Sequence, residues 1–144
     1  MLSEQIKPVQ ALTIASGASG STPVDGAIID TAGYGGCLFV VQTGPITAGA
    51  VTSVKVQQDT DAAGGTMADL AGTAQAIADD KDNTVFYIDV KRPHERYLRL
   101  VLSRGTQAAT AAAMAYLYDG RKRPPTFPAD VVGERHASPA EGTA

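Results

Sequence analysis

The chain has 144 residues and a formal net charge of −3, a size that makes one domain burying roughly two-thirds of its unfolded surface. Apolar residues make up 44%, but 24 of the 144 are Ala, aromatics are 6% and Trp is absent. One Cys excludes an internal disulfide framework and a cysteine-built zinc site, and two His leave no histidine cluster. No apolar run approaches the roughly 18 residues that span a bilayer.

Residues 10–15 carry the β-branched Thr13 and Ile14 and predict a first strand. Ser16-Gly17-Ala18-Ser19-Gly20-Ser21 follows and reads as a flexible loop. Residues 26–31, with Ile28 and Ile29, predict a second strand that stops before Gly33-Tyr34-Gly35-Gly36. Residues 37–43 form a continuous apolar run, the pattern of a central strand covered on both faces, with Gly44-Pro45 as its end. Residues 51–58 alternate: Thr52, Val54 and Val56 on one face, Ser53, Lys55 and Gln57 on the other.

Residues 59–83 are ambiguous. A turn over 59–65 is followed by residues 67–70, a short strand or a helical turn, and by residues 75–78, another short strand. Asp79-Asp80-Lys81-Asp82-Asn83 reads as a solvated polar turn. It lacks the Gly and terminal Glu of a calcium loop. Residues 84–90 put Thr84, Phe86, Ile88 and Val90 on one side, and residues 96–103 put Leu98, Leu100 and Leu102 on one side. Between them, residues 91–95 read as a five-residue hairpin loop, a place that suits Pro93. Residues 108–118 are Ala-rich, and propensity alone says helix. Period-2 alternation and strand neighbours favour a strand, with Thr110, Ala112, Met114, Tyr116 and Tyr118 opposite a small-residue face that lets a second sheet or a subunit pack closely.

Residues 121–144 hold four of the eight prolines and no apolar period. The expected organisation is one all-β domain: residues 1–24 with the first strand and the Gly/Ser loop, a core over 25–118, and a Pro-rich C-terminal arm over 119–144. Evenly spaced strands without a helix predict an antiparallel β-sandwich or jelly roll of seven to eight strands.

Catalytic signatures are sparse. His94 lies in a charged loop and His136 in the tail, neither in a motif with a Ser or with Cys37. Cys37 opens a buried strand, where a free Cys acts as a small hydrophobe. Ser16–Gly20 is not Gly-x-Ser-x-Gly, and Gly33–Gly36 is not Gly-x-Gly-x-x-Gly. Asp25, Asp30 and Asp89 are isolated in sequence; a small glycan-cleaving enzyme would need two of them to meet across strands. No enzymatic activity, cofactor or metal is expected.

The net charge is unevenly divided. Residues 1–90 carry ten acids and three bases, net −7; residues 91–144 carry five acids and nine bases, net +4. Two basic runs stand out, Lys91-Arg92-Pro93-His94-Glu95-Arg96 and Arg121-Lys122-Arg123-Pro124-Pro125. They protect strand edges and aid solubility, or they dock on an acidic partner. Candidate contact residues are Lys91, Arg92, Arg96, Arg121, Lys122 and Arg123, with Phe127 in the arm behind them. A pI near 5.2 and short basic stretches argue against direct nucleic-acid binding.

From about residue 25 onward the order of segments resembles the capsid cement (decoration) proteins of tailed bacteriophages. The carrying segments are Ile28-Ile29-Asp30-Thr31 through Tyr34-Gly35-Gly36 into Leu38-Phe39-Val40-Val41, then Lys55-Val56-Gln57-Gln58-Asp59, Asp69-Leu70-Ala71-Gly72 and Ile77-Ala78-Asp79-Asp80. Ile88-Asp89-Val90-Lys91-Arg92-Pro93 and Arg96-Tyr97-Leu98-Arg99 follow, then Tyr118-Asp119-Gly120-Arg121-Lys122-Arg123-Pro124 and the closing Ser138-Pro139-Ala140-Glu141-Gly142-Thr143-Ala144. The resemblance implies a jelly-roll-like fold on the exterior of a virion capsid, with the major capsid protein as partner. It also implies a dimer or trimer of the chain near capsid symmetry axes, no membrane, and synthesis in the host cytoplasm. The N-terminus lacks the charged-then-apolar plan of a signal peptide, which agrees with that expectation. A tail, baseplate or receptor-binding module is the alternative within the virion.

Overall fold

The structure, a computed structural model, describes residues 1–105, 108–137 and 141–142. After a 3-10 turn at Leu2–Glu4 come ten strand segments: β1 (Lys7–Leu12), β2 (Val24–Asp25), β3 (Ile29–Asp30), β4 (Gly36–Ile46), β5 (Thr52–Asp59), β6 (Ala68–Asp69), β7 (Gln75–Ile77), β8 (Val85–Lys91), β9 (Tyr97–Ser103) and β10 (Ala109–Tyr118). One sheet has the order β1-β10-β4-β8; in the other, β9 and β5 are the centre, β2 and β3 both pair with β9, and β6 and β7 both pair with β5. Every pairing is antiparallel.

β2 and β3 are one strand beside β9, interrupted where its backbone also touches β1 of the other sheet. Gly26 N–H donates to the Leu100 carbonyl of β9, and Ala27 N–H donates to the Ala11 carbonyl of β1, both at 2.8 Å. A Cβ on Gly26 would lie 2.4 Å from the Ala11 oxygen, so only glycine lets the two backbones approach this closely. Taking β2–β3 and β6–β7 as single strands gives eight strands in two four-stranded layers. Their order is that of a jelly roll, as the strand count and turn spacing predict.

The core lies between the sheets. Leu98, Leu100 and Leu102 of β9, Val54 and Val56 of β5, and Cys37, Phe39 and Val41 of β4 are fully buried. β10 contributes Ala109, Ala111, Ala113, Ala115 and Leu117 to the same cluster. The strand reading of the Ala-rich segment therefore holds: its small side chains face the core and let the sheets close. Burial pushes the Cys37 thiol up to about 12, consistent with a packing role.

Five local expectations are corrected. The first strand is Lys7–Leu12 rather than residues 10–15; it begins through Pro8, tolerated because β1 is an edge strand, and Ile14 is 74% exposed. β4 does not end at Gly44-Pro45 but runs to Ile46, with the register shift of its β10 partner opposite these residues. Nor is β4 covered on both faces, since Leu38 and Val40 on its outer side are only half-buried. Residues 91–95 are not a hairpin loop, because β8 pairs with β4 and β9 with β5, so this connection arches from one sheet to the other. The Ser16–Ser21 loop is pinned rather than loose. Arg104, 5% exposed, donates from Nη1 to the carbonyls of Ala18 (2.6 Å) and Ala109 (2.7 Å) and from Nε to that of Thr22 (2.7 Å).

The acidic turn at 79–83 braces a neighbour. Asp82 accepts from Ile46 N–H at 2.7 Å and Asp79 from Gly49 N–H at 2.6 Å, so two of its carboxylates organise the 46–49 turn. The segments at 68–69 and 75–77 are both strands, which resolves the ambiguity over 59–83. Asp59, 1% exposed, is held below the usual carboxylate range chiefly by the Asp61 N–H, with Thr66 adding its N–H and hydroxyl. That single side chain shapes the turn after β5. The arm beyond Asp119 has no regular secondary structure through residue 137. Its Arg135 reaches the N-terminal turn, 3.4 Å from the Ser3 carbonyl and 3.9 Å from Glu4. The closing segment lies largely outside the described residues.

Candidate interaction surfaces

Gly33–Gly35 brings the two basic runs together. Arg92 N–H donates to the Gly35 carbonyl (2.8 Å), Arg121 N–H to that of Gly33 (2.9 Å), and Gly35 N–H to that of Tyr118 (2.9 Å). The 91–96 arch and the start of the arm thus clamp one glycine-rich segment from two sides. Arg92 (φ 51°) and Asp119 (φ 53°) both adopt the left-handed region without being glycine, a strain of the order of 1 kcal/mol each that the surrounding bonds must hold. Between them opens a cleft of about 470 Å³ lined by Tyr34, Arg92, His94, Arg96 and Arg121, with Glu95 and Asp119 at its wall.

The candidate cations differ in state. Arg96 is bound bidentately by Asp30, Nε to Oδ1 at 2.8 Å and Nη2 to Oδ2 at 2.7 Å, and its guanidinium lies 5.1 Å from the Tyr97 ring centre. The Arg96 bonds hold the Asp30 carboxyl below its usual range against the opposing effect of burial. This pairing joins residues 66 apart in sequence, which sequence reasoning did not find. Lys91, Arg92, Arg121, Lys122 and Arg123 are exposed and make no ion pair among the described residues. Phe127 is half-buried along the arm. Asp25, Asp30 and Asp89 each meet a different donor, namely Arg99 at 3.0 Å, Arg96, and the Tyr118 hydroxyl at 2.7 Å.

The outer faces of the sheets are unlike. On the sheet centred on β9 and β5, Lys55 bonds Asp69 at 2.7 Å, Gln57 bonds the other Asp69 oxygen at 2.8 Å, and Arg99 bonds the Gln57 amide oxygen at 2.7 Å and Asp25 at 3.0 Å. The result is one polar chain across the face. On the β1-β10-β4-β8 sheet the outward positions include Leu38 and Val40 of β4, Met114 and Tyr116 of β10, and Val85 and Tyr87 of β8, the last two 59% and 67% exposed, with the polar Gln42, Thr110, Asp89 and Lys91 towards the ends of the strands. Tyr118 lies flat on Gly36, where a Cβ would sit 2.2 Å from its ring, and donates to Asp89. Burial, and then this bond, push the Tyr118 hydroxyl above its usual range.

Among the described residues, no group of three or more His, Cys, Asp or Glu could hold a metal ion, and no helix is long and apolar enough to cross a membrane. No family model matches the chain, and no curated protein matches it. A solved structure described as "Crystal structure of PirA" is 13% identical over 80% of this chain and 94% of that one, with a TM-score of 0.36. A likeness that distant carries no argument about function.

Proposed function

We propose that this chain is a virion structural protein of the cement type. In this reading it binds the outer surface of a phage capsid, bridges major capsid subunits and so stabilises the shell. The observation that carries the reading is the convergence of the two basic runs on one end of the sandwich, with five cations left unpaired among the described residues. Within the cleft Arg96 is bonded to Asp30, and on the face of the β9–β5 sheet Lys55 and Arg99 are each bonded to a carboxylate. The unpaired Arg92 and Arg121 lining the cleft suit an acidic protein surface, where Arg binds carboxylates bidentately. The resemblance in segment order from residue 25 onward agrees with it. Binding to the assembled shell but not to free subunits would stabilise that shell by linkage, and many copies would multiply a modest affinity. The arm at 119–144 extends the contact onto a neighbouring subunit.

The test is co-purification with capsids assembled from a phage major capsid protein of the same source as this chain. Arg92→Glu with Arg121→Glu is expected to lower occupancy at least tenfold with an unchanged circular dichroism spectrum. Truncation after Gly120 is expected to leave a folded domain that binds weakly. Full occupancy by the charge-reversed protein would overturn the reading. A copy number of a dozen or fewer per virion, by quantitative mass spectrometry, would assign the chain to the tail or baseplate instead.

A further inference from the structure

Residues 30–35 hold the cleft at the basic end together. Asp30 binds the Arg96 guanidinium through bonds of 2.8 and 2.7 Å, and Thr31 donates to the Arg96 carbonyl from its hydroxyl (2.7 Å) and its N–H (3.0 Å). The Asp30 carboxylate is itself oriented by Ala32 N–H at 2.9 Å. Gly35 accepts from Arg92 N–H and Gly33 from Arg121 N–H. One short segment thus fixes both ends of the 92–96 arch and the start of the arm. The charges lining the cleft balance. Arg96 is neutralised by Asp30, and the other cations, Arg92 and Arg121, share the lining with Glu95 and Asp119. None of those four has an ion-pair partner among the described residues.

A balanced lining disfavours a polyanion, because further negative charge brought near Glu95 or Asp119 meets like charge. It suits one carboxylate. The Gly33 and Gly35 carbonyls that anchor Arg121 and Arg92 are at most about 7 Å apart, the reach of two extended residues. Both arginine side chains line the same cleft, so their guanidinium groups can converge on a single carboxylate through charge-assisted bonds. Glu95 and Asp119 are then acceptors for N–H groups beside that carboxylate. A protein segment bearing one Asp or Glu supplies the acid and the N–H groups together, whereas a free phosphate supplies only the anion. Arg96 takes no part in gripping the ligand, because its guanidinium is committed to Asp30. Its part is to carry the arch. Fixing Arg96 at both its guanidinium and its carbonyl fixes the backbone from which Arg92 projects. The two free cations are therefore set before the ligand arrives, and the ordering cost of binding is reduced.

We infer that this cleft takes a single carboxylate side chain of a partner protein between Arg92 and Arg121, and that Asp30 is the positioning residue that pre-sets it through Arg96. The inference rests on the reading of the basic end as a protein-docking surface, and its test needs no capsid. The experiment is an amide-resolved NMR titration of the isotope-labelled full chain with acetyl-Gly-Glu-Gly-amide, acetyl-Gly-Gln-Gly-amide and inorganic phosphate. So short a probe, held by two charge-assisted contacts, is expected to bind with a dissociation constant on the order of 1 mM. The Glu peptide is expected to shift the Gly33, Gly35, Arg92 and Arg121 amides. The Gln peptide and phosphate are each expected to bind about tenfold more weakly, the loss of one such contact. Equal binding of the Gln peptide, or tighter binding of phosphate, overturns the carboxylate assignment. Asp30→Asn frees Arg96 and makes the cleft more positive. Attraction alone would then tighten the Glu peptide, whereas positioning predicts binding about fivefold weaker. The pair is exposed, with Arg96 55% and Asp30 46% accessible, so the fold is expected to survive its loss with an unchanged circular dichroism spectrum. Asp30→Glu, which keeps a carboxylate for Arg96, is expected to restore binding. Asp30→Asn binding as tightly as wild type, or Asp30→Glu binding as weakly as Asp30→Asn, overturns the positioning role. Charge-dependent capsid binding without binding of the Glu peptide would overturn this inference and leave the cement reading standing. Binding of the Glu peptide without capsid binding would support this inference and remove the cement reading.

Discussion

On β5 and β9 the side chains that point away from the core include Lys55, Gln57 and Arg99, each bonded to a neighbour. On β4 and β10 they include Leu38, Val40, Met114 and Tyr116, with the polar Gln42 and Thr110 towards one end. The two sheets share one core and an alternating pattern, so the difference is not imposed by the fold. The polar face satisfies itself and needs nothing outside the molecule. The apolar face stays in contact with water at a cost of about 25 cal/mol per Å². A sandwich with one self-sufficient face and one unsatisfied face would gain from a cover on one side only.

The sharpest way to break this comparison is to show that the inner faces differ as much as the outer ones. They are expected to behave alike. Leu100 of β9 is fully buried, and Leu100→Ala is expected to cost about 3 kcal/mol through lost burial and a cavity. Ala115 of β10 is equally buried, and Ala115→Leu is expected to cost about 2 kcal/mol by overpacking the space in which the sheets close. Chemical denaturation monitored by circular dichroism measures both. A neutral Ala115→Leu would mean that the sheets do not meet closely at β10, and that its alanine face is a second open surface.

What the sequence disclosed follows the same division. Period-2 alternation located β5, β8, β9 and β10 and, for the first three, the side that is buried, because burial on one face acts residue by residue along a strand. It also separated Met114 and Tyr116 from the alanines. It did not say which sheet each strand joins. A five-residue connection serves a hairpin or an arch equally well, and the difference lies in the partners β4 and β5 rather than in Lys91–Glu95. Continuous apolar runs misled for a related reason. Leu38-Phe39-Val40-Val41 reads as a strand covered twice, whereas one of its faces is open in the isolated chain. The pairings Asp30–Arg96 and Arg104 with the Ala18 and Thr22 carbonyls were illegible because they join residues 66 to 86 apart. The 91–96 and 121–123 runs were visible as charge; their meeting at Gly33–Gly35 was not.

A middle-sized effect tests the polar corner of the apolar face. Tyr118 donates to Asp89 at 2.7 Å, the one polar contact holding an aromatic side chain against Gly36. Tyr118→Phe keeps the ring and removes the bond. The expected loss is about 1 kcal/mol in thermal or chemical unfolding. Asp89→Asn in a double-mutant cycle is expected to account for most of that coupling. No coupling would mean that the hydroxyl bonds water instead, and that Asp89 is a free charge within the face.

The smallest effect is expected on the face that looks most elaborate. Exposed ion pairs contribute little at neutral pH, so Lys55→Met should change stability less than any substitution above. Its signature is pH dependence. The Lys55 bond first, and the Gln57 bond second, hold the Asp69 carboxyl below the usual range. A carboxyl lowered on folding stabilises the native state at pH above its unfolded value, near 3.9. That contribution is lost as pH falls through the lowered folded value. Asp69→Asn is therefore expected to match wild type more closely at pH 2 than at pH 7, and to flatten the acid limb of a plot of melting temperature against pH. High salt should shrink the wild-type difference further, because the pair is exposed. A variant as destabilised as Tyr118→Phe at pH 7 and insensitive to salt would mean that the polar chain is a structural element of the sheet. The contrast between the two faces would then be one of chemistry alone, with no difference in their need for a partner.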